Sequence, residues 1–216
     1  MTARPDSDHW AADNAADVRR PRVGAFGVLL PGSWWTVDLR DEAARRRSVN
    51  ALVERQVGRD DSRASLRADL RSTMSRTAED AARAGGRLLA VSLMQVDGIP
   101  VPATLTMYRV AGAALNDAGA EELARVLRQS QQPDDQIDIA EGPLGPVLRR
   151  VSRRQGDCSV GGADMTLLVA DYWLDPDDGH GLMSLNFTSP LTVMHDALVD
   201  LFDAIVASVG PAEDAV

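Results

Sequence analysis

Between Gly181 and Gly210 a strand pattern runs straight into an amphipathic helix pattern, and this pairing constrains the fold more than any other stretch. From Leu182 to Thr188 the side chains alternate, with Met183, Leu185 and Phe187 apolar on one parity and Ser184, Asn186 and Thr188 polar on the other. Period-2 alternation is the mark of a strand with one face covered. Ser189 then offers a hydroxyl as N-cap and Pro190 suits the first helical position, so a helix is expected from there. Met194, Leu198, Leu201, Phe202, Ile205, Val206 and Val209 form a core-facing stripe about five turns long, with Asp196, Asp200 and Asp203 on the opposite side. Burying that stripe at roughly 1.5–3 kcal/mol per large side chain is worth on the order of 10 kcal/mol, comparable to the net stability of a domain. Gly210 and Pro211 are expected to end the helix, leaving residues 211–216 as a polar tail.

The rest of the chain has to supply a surface for that helix. At 216 residues, 44% hydrophobic and 25% charged, it is long enough for one sizeable core and short for two, so a single domain over residues 23–210 is expected. Residues 1–22 hold only Trp10 and Val18 as bulky apolar groups and read as a flexible arm. The net charge of −9 opposes binding to nucleic acid and to anionic lipid. Every basic residue is an arginine. The single cysteine, Cys158, excludes an internal disulfide framework and a thiolate cluster for zinc. No apolar run approaches the length of a membrane span and the first residues lack the apolar core of a signal peptide, so membrane insertion is not expected and a cytoplasmic location is.

Along the chain, Phe26, Val28 and Leu30 mark a short strand, Pro31-Gly32-Ser33 a turn, and Trp34 to Leu39 a second strand. Asp41 should cap a helix to about Val57 with Val49, Leu52, Val53 and Val57 buried. A second helix, capped by Asp61 or Ser62, carries Leu66, Leu70, Met74, Thr77 and Ala81 to about Ala84. Arg87 to Val96 and Pro102 to Val110 read as a hairpin around Asp97-Gly98, its loop lengthened by Ile99-Pro100. Gly119 to Gln129 should be a short helix with Leu123, Val126 and Leu127 inward. Pro133–Glu141, Pro146–Arg154 and Asp164–Leu174 read as strands, and Asp175-Pro176-Asp177-Asp178-Gly179 as the turn into the final strand. Strands grouped rather than alternating with helices predict an α+β fold, one mostly antiparallel sheet packed by helices with a long C-terminal amphipathic helix.

Leu30-Pro31-Gly32-Ser33-Trp34 leading into a strand, the strand-turn-strand from Trp173 to Phe187, and a closing helix ending Phe202-Asp203-Ala204-Ile205-Val206-Ala207-Ser208 resemble the Mog1/PsbP-like group of small α+β domains. The resemblance spans Val23 to Val209 in the order of elements. It implies a non-enzymatic binding or accessory module, of a kind that includes secretion-associated and chaperone-like proteins, and it supplies no catalytic residues. The charged helical pair between Asp41 and Ala84 is longer than the group's pattern.

Candidate chemistry reduces to a few places. Gly156-Asp157-Cys158-Ser159-Val160-Gly161-Gly162 reads first as a glycine-rich connection. The alternative is a hydrolase nucleophile at Cys158 or Ser159, which needs His180 or His195 as a base within hydrogen-bond reach. Asp175, Asp177 and Asp178 have the composition of an ordinary turn and lack the spacing of a calcium loop. No cofactor or metal ligand set is expected. Arg149-Arg150 and Arg153-Arg154 alternate between two faces of a strand and suit a solvated edge or an acidic partner. Trp34 and Trp35 must point to opposite faces; burial of both, one against each layer, is the expected arrangement, and an exposed one would be a protein-contact anchor. Trp34, Trp35, Arg149 and Arg153 are therefore the candidate contacts for another protein.

Overall fold

The structure, a computed structural model, describes residues 19–156 and 165–212. In chain order the elements are β1 (Arg22–Val23), β2 (Phe26–Gly27), β3 (Trp34–Asp38), α1 (Glu42–Val57), α2 (Ala64–Arg83), β4 (Gly86–Ser92), β5 (Gln95–Val96) and β6 (Ile99–Pro100). There follow β7 (Thr104–Val110), α3 (Asp117–Gln129), β8 (Gln136–Gly142), β9 (Gly145–Gln155), β10 (Thr166–Leu174), β11 (Leu182–Ser189), α4 (His195–Ala207) and β12 (Gly210–Pro211). The main sheet has seven strands in the order β3-β4-β7-β11-β10-β9-β8. All its neighbours are antiparallel, which gives the expected α+β class. A three-stranded sheet, β1-β2-β12, and the β5-β6 hairpin complete it.

The alternation in β11 is realised as written. Met183, Leu185 and Phe187 enter one core cluster with Leu198, Phe202, Ile205 and Val206 of α4. Phe187 and Phe202 stack with ring centroids 4.4 Å apart, and Tyr172 meets Phe187 edge-on at 5.6 Å. The small sheet covers the same face through Val23 and Phe26. On the other face α1 and α2 cover Val37 and Leu89, and α3 covers Leu148 and Leu182.

The terminal helix is shorter than its sequence pattern. Ser189 ends β11 instead of capping a helix, because its hydroxyl donates to Pro102 O at 2.8 Å and accepts from Leu191 N at 3.1 Å. A 3-10 turn, Thr192–Met194, precedes α4, which has 13 residues. Val209 lies beyond the helix and is still buried. Gly210 and Pro211 pair with Gly27 and Phe26, so a residue assigned to the tail belongs to a sheet. Arg19 likewise pairs with Leu30 through two backbone hydrogen bonds, inside what reads as the arm.

Other elements differ at their ends and faces. Asp41 caps α1 as expected, accepting from Ala44 N at 2.5 Å. A 3-10 turn at Asp61–Arg63, capped by Asp60, intervenes before α2. Only Ala78 of α2 is fully buried, and Leu66 is 51% exposed. In α3 the inward stripe is Ala120, Leu123, Ala124 and Leu127, at offsets of three, one and three residues. Val126 falls outside that stripe and is exposed, because the small alanines, not the bulkier valine, allow the helix to lie close to the sheet.

Candidate functional site

Trp34 and Trp35 begin β3 after a tight turn in which Trp34 N donates to Pro31 O at 2.9 Å. Strand alternation sends them to opposite faces. Trp34 is 1% exposed in the main core, and its indole N–H donates to Met94 Sδ at 3.3 Å. Trp35 is half-buried against α1, its indole N–H shared between Ser48 O at 3.2 Å and Ser48 Oγ at 3.1 Å. Ser48 Oγ in turn donates to Thr36 O at 2.9 Å, so α1 occupies a backbone acceptor of the edge strand. The Arg55 guanidinium lies 5.9 Å from the Trp35 ring centroid, within cation–π range.

Arg55 and Gln56 line a cleft of about 530 Å³ together with Leu93, Met94, Pro100 and Pro102. Above it stands the β5-β6 hairpin. Its Asp97-Gly98 turn has φ of 52° and 77°, the two positive values that a two-residue type I′ turn requires. The loop is therefore two residues long, and Ile99-Pro100 belongs to a strand instead of extending it. The tip presents Val96 and Ile99, 49% and 67% exposed. Ser92 fixes the base of the hairpin, its buried hydroxyl donating to Val101 O at 2.8 Å and accepting from Met94 N at 3.2 Å.

The remaining candidate contacts fall elsewhere. Arg149 on β9 donates to Asp203 of α4 at 2.5 Å and to Asp138 of β8 at 3.0 Å, and Tyr172 donates its hydroxyl to Asp203 at 2.7 Å. Burial, reinforced by Asp203, pushes the Tyr172 hydroxyl well above the ordinary phenol range. Arg149 is thus committed to two carboxylates. Arg150 points to the other face, onto Asp135, which is buried. Arg153 is exposed at the end of β9 beside a polar cleft of about 370 Å³ shared with Asp134, His195 and Asp196. β3 and β9 are separated by five strand spacings, roughly 24 Å, so Trp35 and Arg153 do not form one patch. Trp34 is withdrawn from the surface by its burial.

Cys158 and Ser159 lie outside the described residues. His180 precedes β11, at the end of the sheet away from Gly156, while His195 opens α4 and pairs with Asp196 at 2.8 Å. The turn carboxylates are used internally. Asp175 accepts from Leu115 N and Asp177 N, each at 2.9 Å, and Asp178 accepts from His180 N at 3.0 Å. Among the described residues no helix is long and apolar enough to cross a membrane.

No family model matches the chain. No curated protein matches it either. Among solved structures the chain is similar to the solution structure of cyanobacterial PsbP (CyanoP) from Synechocystis sp. PCC 6803, with a TM-score of 0.43 and 13% identity, over 91% of this chain and 94% of that one.

Proposed function

We propose that the chain is a non-enzymatic accessory module that binds another protein through the cleft between α1 and the β5-β6 hairpin. The observation that carries this reading is the exposed pair Val96 and Ile99, held on a tight turn beside a cleft walled by Arg55, Met94, Pro100 and Pro102. Large apolar side chains projected on a short, backbone-paired hairpin lose little entropy when covered, and the mixed polar and apolar cleft next to them, lined by Gln56 and Gln95 as well as Leu93, Met94 and the two prolines, gives an anchor somewhere to insert. Arg55, already stacked on Trp35, brings a positive charge to the rim. The partner chemistry that fits is an apolar side chain next to a carboxylate. Escort of another protein, including one bound for secretion, is the role within that class that such a surface would serve.

The test places a photo-crosslinking residue at position 99 and, as a control, at exposed Glu79 on α2, and irradiates the protein in its native cells. A discrete adduct at position 99 that is absent at position 79, and that disappears when Val96→Asp is added, is the expected result. Equal labelling at both positions, or an adduct indifferent to Val96→Asp, would refute the cleft as the contact.

A further inference from the structure

The opposite end of the same strands holds a second, basic cleft of about 550 Å³. Its charged lining comes from neighbouring strands: Arg40 just after β3, Arg87 on β4 and Arg109 on β7, with Asp178 and His180 from the turn before β11. Three guanidiniums stand against Asp178 in the lining and Asp38 behind Arg40, which leaves a local excess of one positive charge, on Arg87, in a chain whose net charge is −9.

Two backbone devices build this concavity. The pairing of β4 with β7 skips a residue, from Gly86↔Tyr108 to Leu88↔Met107, so Arg87 is the extra residue of a bulge. Bulges re-aim side chains. Gly86 is required there because a Cβ would stand 2.7 Å from Ala81 O and 2.8 Å from Leu39 Cδ1. On the other side Gly181, with φ of +87°, brings its backbone so close to Val110 that a Cβ would lie 2.1 Å from Val110 O. That contact sets the Asp178–His180 wall against the end of β7.

The arginines are positioned in different ways. Arg40 is clamped by Asp38, its Nε and Nη2 donating at 3.0 Å and 2.7 Å. Arg109 is held by Asp178 through Nη2, while its Nη1 is buried without a hydrogen-bond partner among the described residues. Burial works to raise the Asp178 carboxyl, but the His180 backbone N–H and Arg109 outweigh it and hold the group below the ordinary range, so it stays ionised and keeps Arg109 fixed. Arg87 has no ion-pair partner among the described residues and is exposed.

From this arrangement we infer that the cleft binds a small organic oxyanion, a carboxylate or phosphate compound, gripped between Arg87 and the Arg40–Arg109 pair. Planar guanidinium forks match both anions, and two forks already held in place by carboxylates lose little freedom when a ligand arrives. The site lies at the far end of β4 from the hairpin and does not depend on a protein partner.

Isothermal titration at low salt with inorganic phosphate and, separately, with succinate tests the inference. Saturable binding of at least one is expected, the tighter of the two showing whether the natural compound presents phosphate or carboxylate. Arg87→Glu should weaken it by about tenfold or more with unchanged circular dichroism, since the side chain is exposed and unpaired. Arg153→Glu makes the same charge change on β9 and should leave the affinity within about twofold. Failure of both anions to bind at about 10 mM, or equal weakening by the two substitutions, would overturn the proposal.

Discussion

The two faces of the seven-stranded sheet carry the same register and opposite chemistry. On one face a row runs Thr36, Ala90, Leu105, Phe187, Ala170, Val151 and Gln136, apolar through its middle under α4 and the small sheet. One residue along, on the other face, the row runs Val37, Leu89, Thr106, Asn186, Asp171, Arg150 and Ile137. It is apolar only where α1, α2 and α3 lie over it, and polar across the centre. There Asn186 donates to Asp171, and Arg150 holds Asp135. The first face stabilises by burial without direction. The second fixes register, because a one-residue slip would carry its charged centre into the apolar core.

Substitutions on the two faces separate these roles, the largest effect coming first. Phe202→Ala removes the ring stacked on Phe187 and should cost about 3–5 kcal/mol in urea unfolding. A loss below about 1 kcal/mol would mean that α4 is not part of the core. On the second face Asp135→Ala strands the nearly buried Arg150 guanidinium and should cost about 3 kcal/mol, more than its lost contacts alone, because an unpaired buried charge remains. Tyr172→Phe deletes the hydrogen bond to Asp203 without changing the packing and should cost about 1 kcal/mol.

Asp171→Asn sharpens the comparison through pH. Burial raises the Asp171 carboxyl above its ordinary value of 3.8, against the pull of Asn186, Arg154 and Arg150. The folded chain therefore holds this proton more tightly than the unfolded chain does. The ionised group is unfavourable at neutral pH, and stability is regained as the pH falls through the folded-state pKa toward 3.8. The asparagine, which keeps an acceptor for Asn186, should raise the unfolding midpoint slightly at pH 7, with an advantage that shrinks on acidification. A lower midpoint at pH 7 would show that the neighbouring arginines outweigh the burial.

What the sequence disclosed follows the range of the interactions. The period of β11, the Asp41 cap and the division of Trp34 from Trp35 are local, and each is present as read. Ser189-Pro190 fits a helix start by every local rule, yet the hydroxyl is taken by Pro102, 87 residues away. Pro211 ends a helix by rule and joins a sheet in fact, because Gly27 is its neighbour's partner across the fold. Strand alternation placed Arg149 and Arg150 on opposite faces but said nothing of the carboxylates that hold them. Arg40, Arg87, Arg109 and His180 are scattered over four segments with no shared pattern, so the basic cleft exists only once the strands are aligned.

Hydrogen exchange read residue by residue tests most directly the claim that α4 seals the sheet while the hairpin stands apart as a contact surface. Amides of α4 should exchange as slowly as those of β10 and β11, in one unit with global unfolding, and those of Gln95 to Ile99 should exchange orders of magnitude faster. Exchange of α4 well ahead of β11, or a hairpin as protected as the central strands, would contradict it.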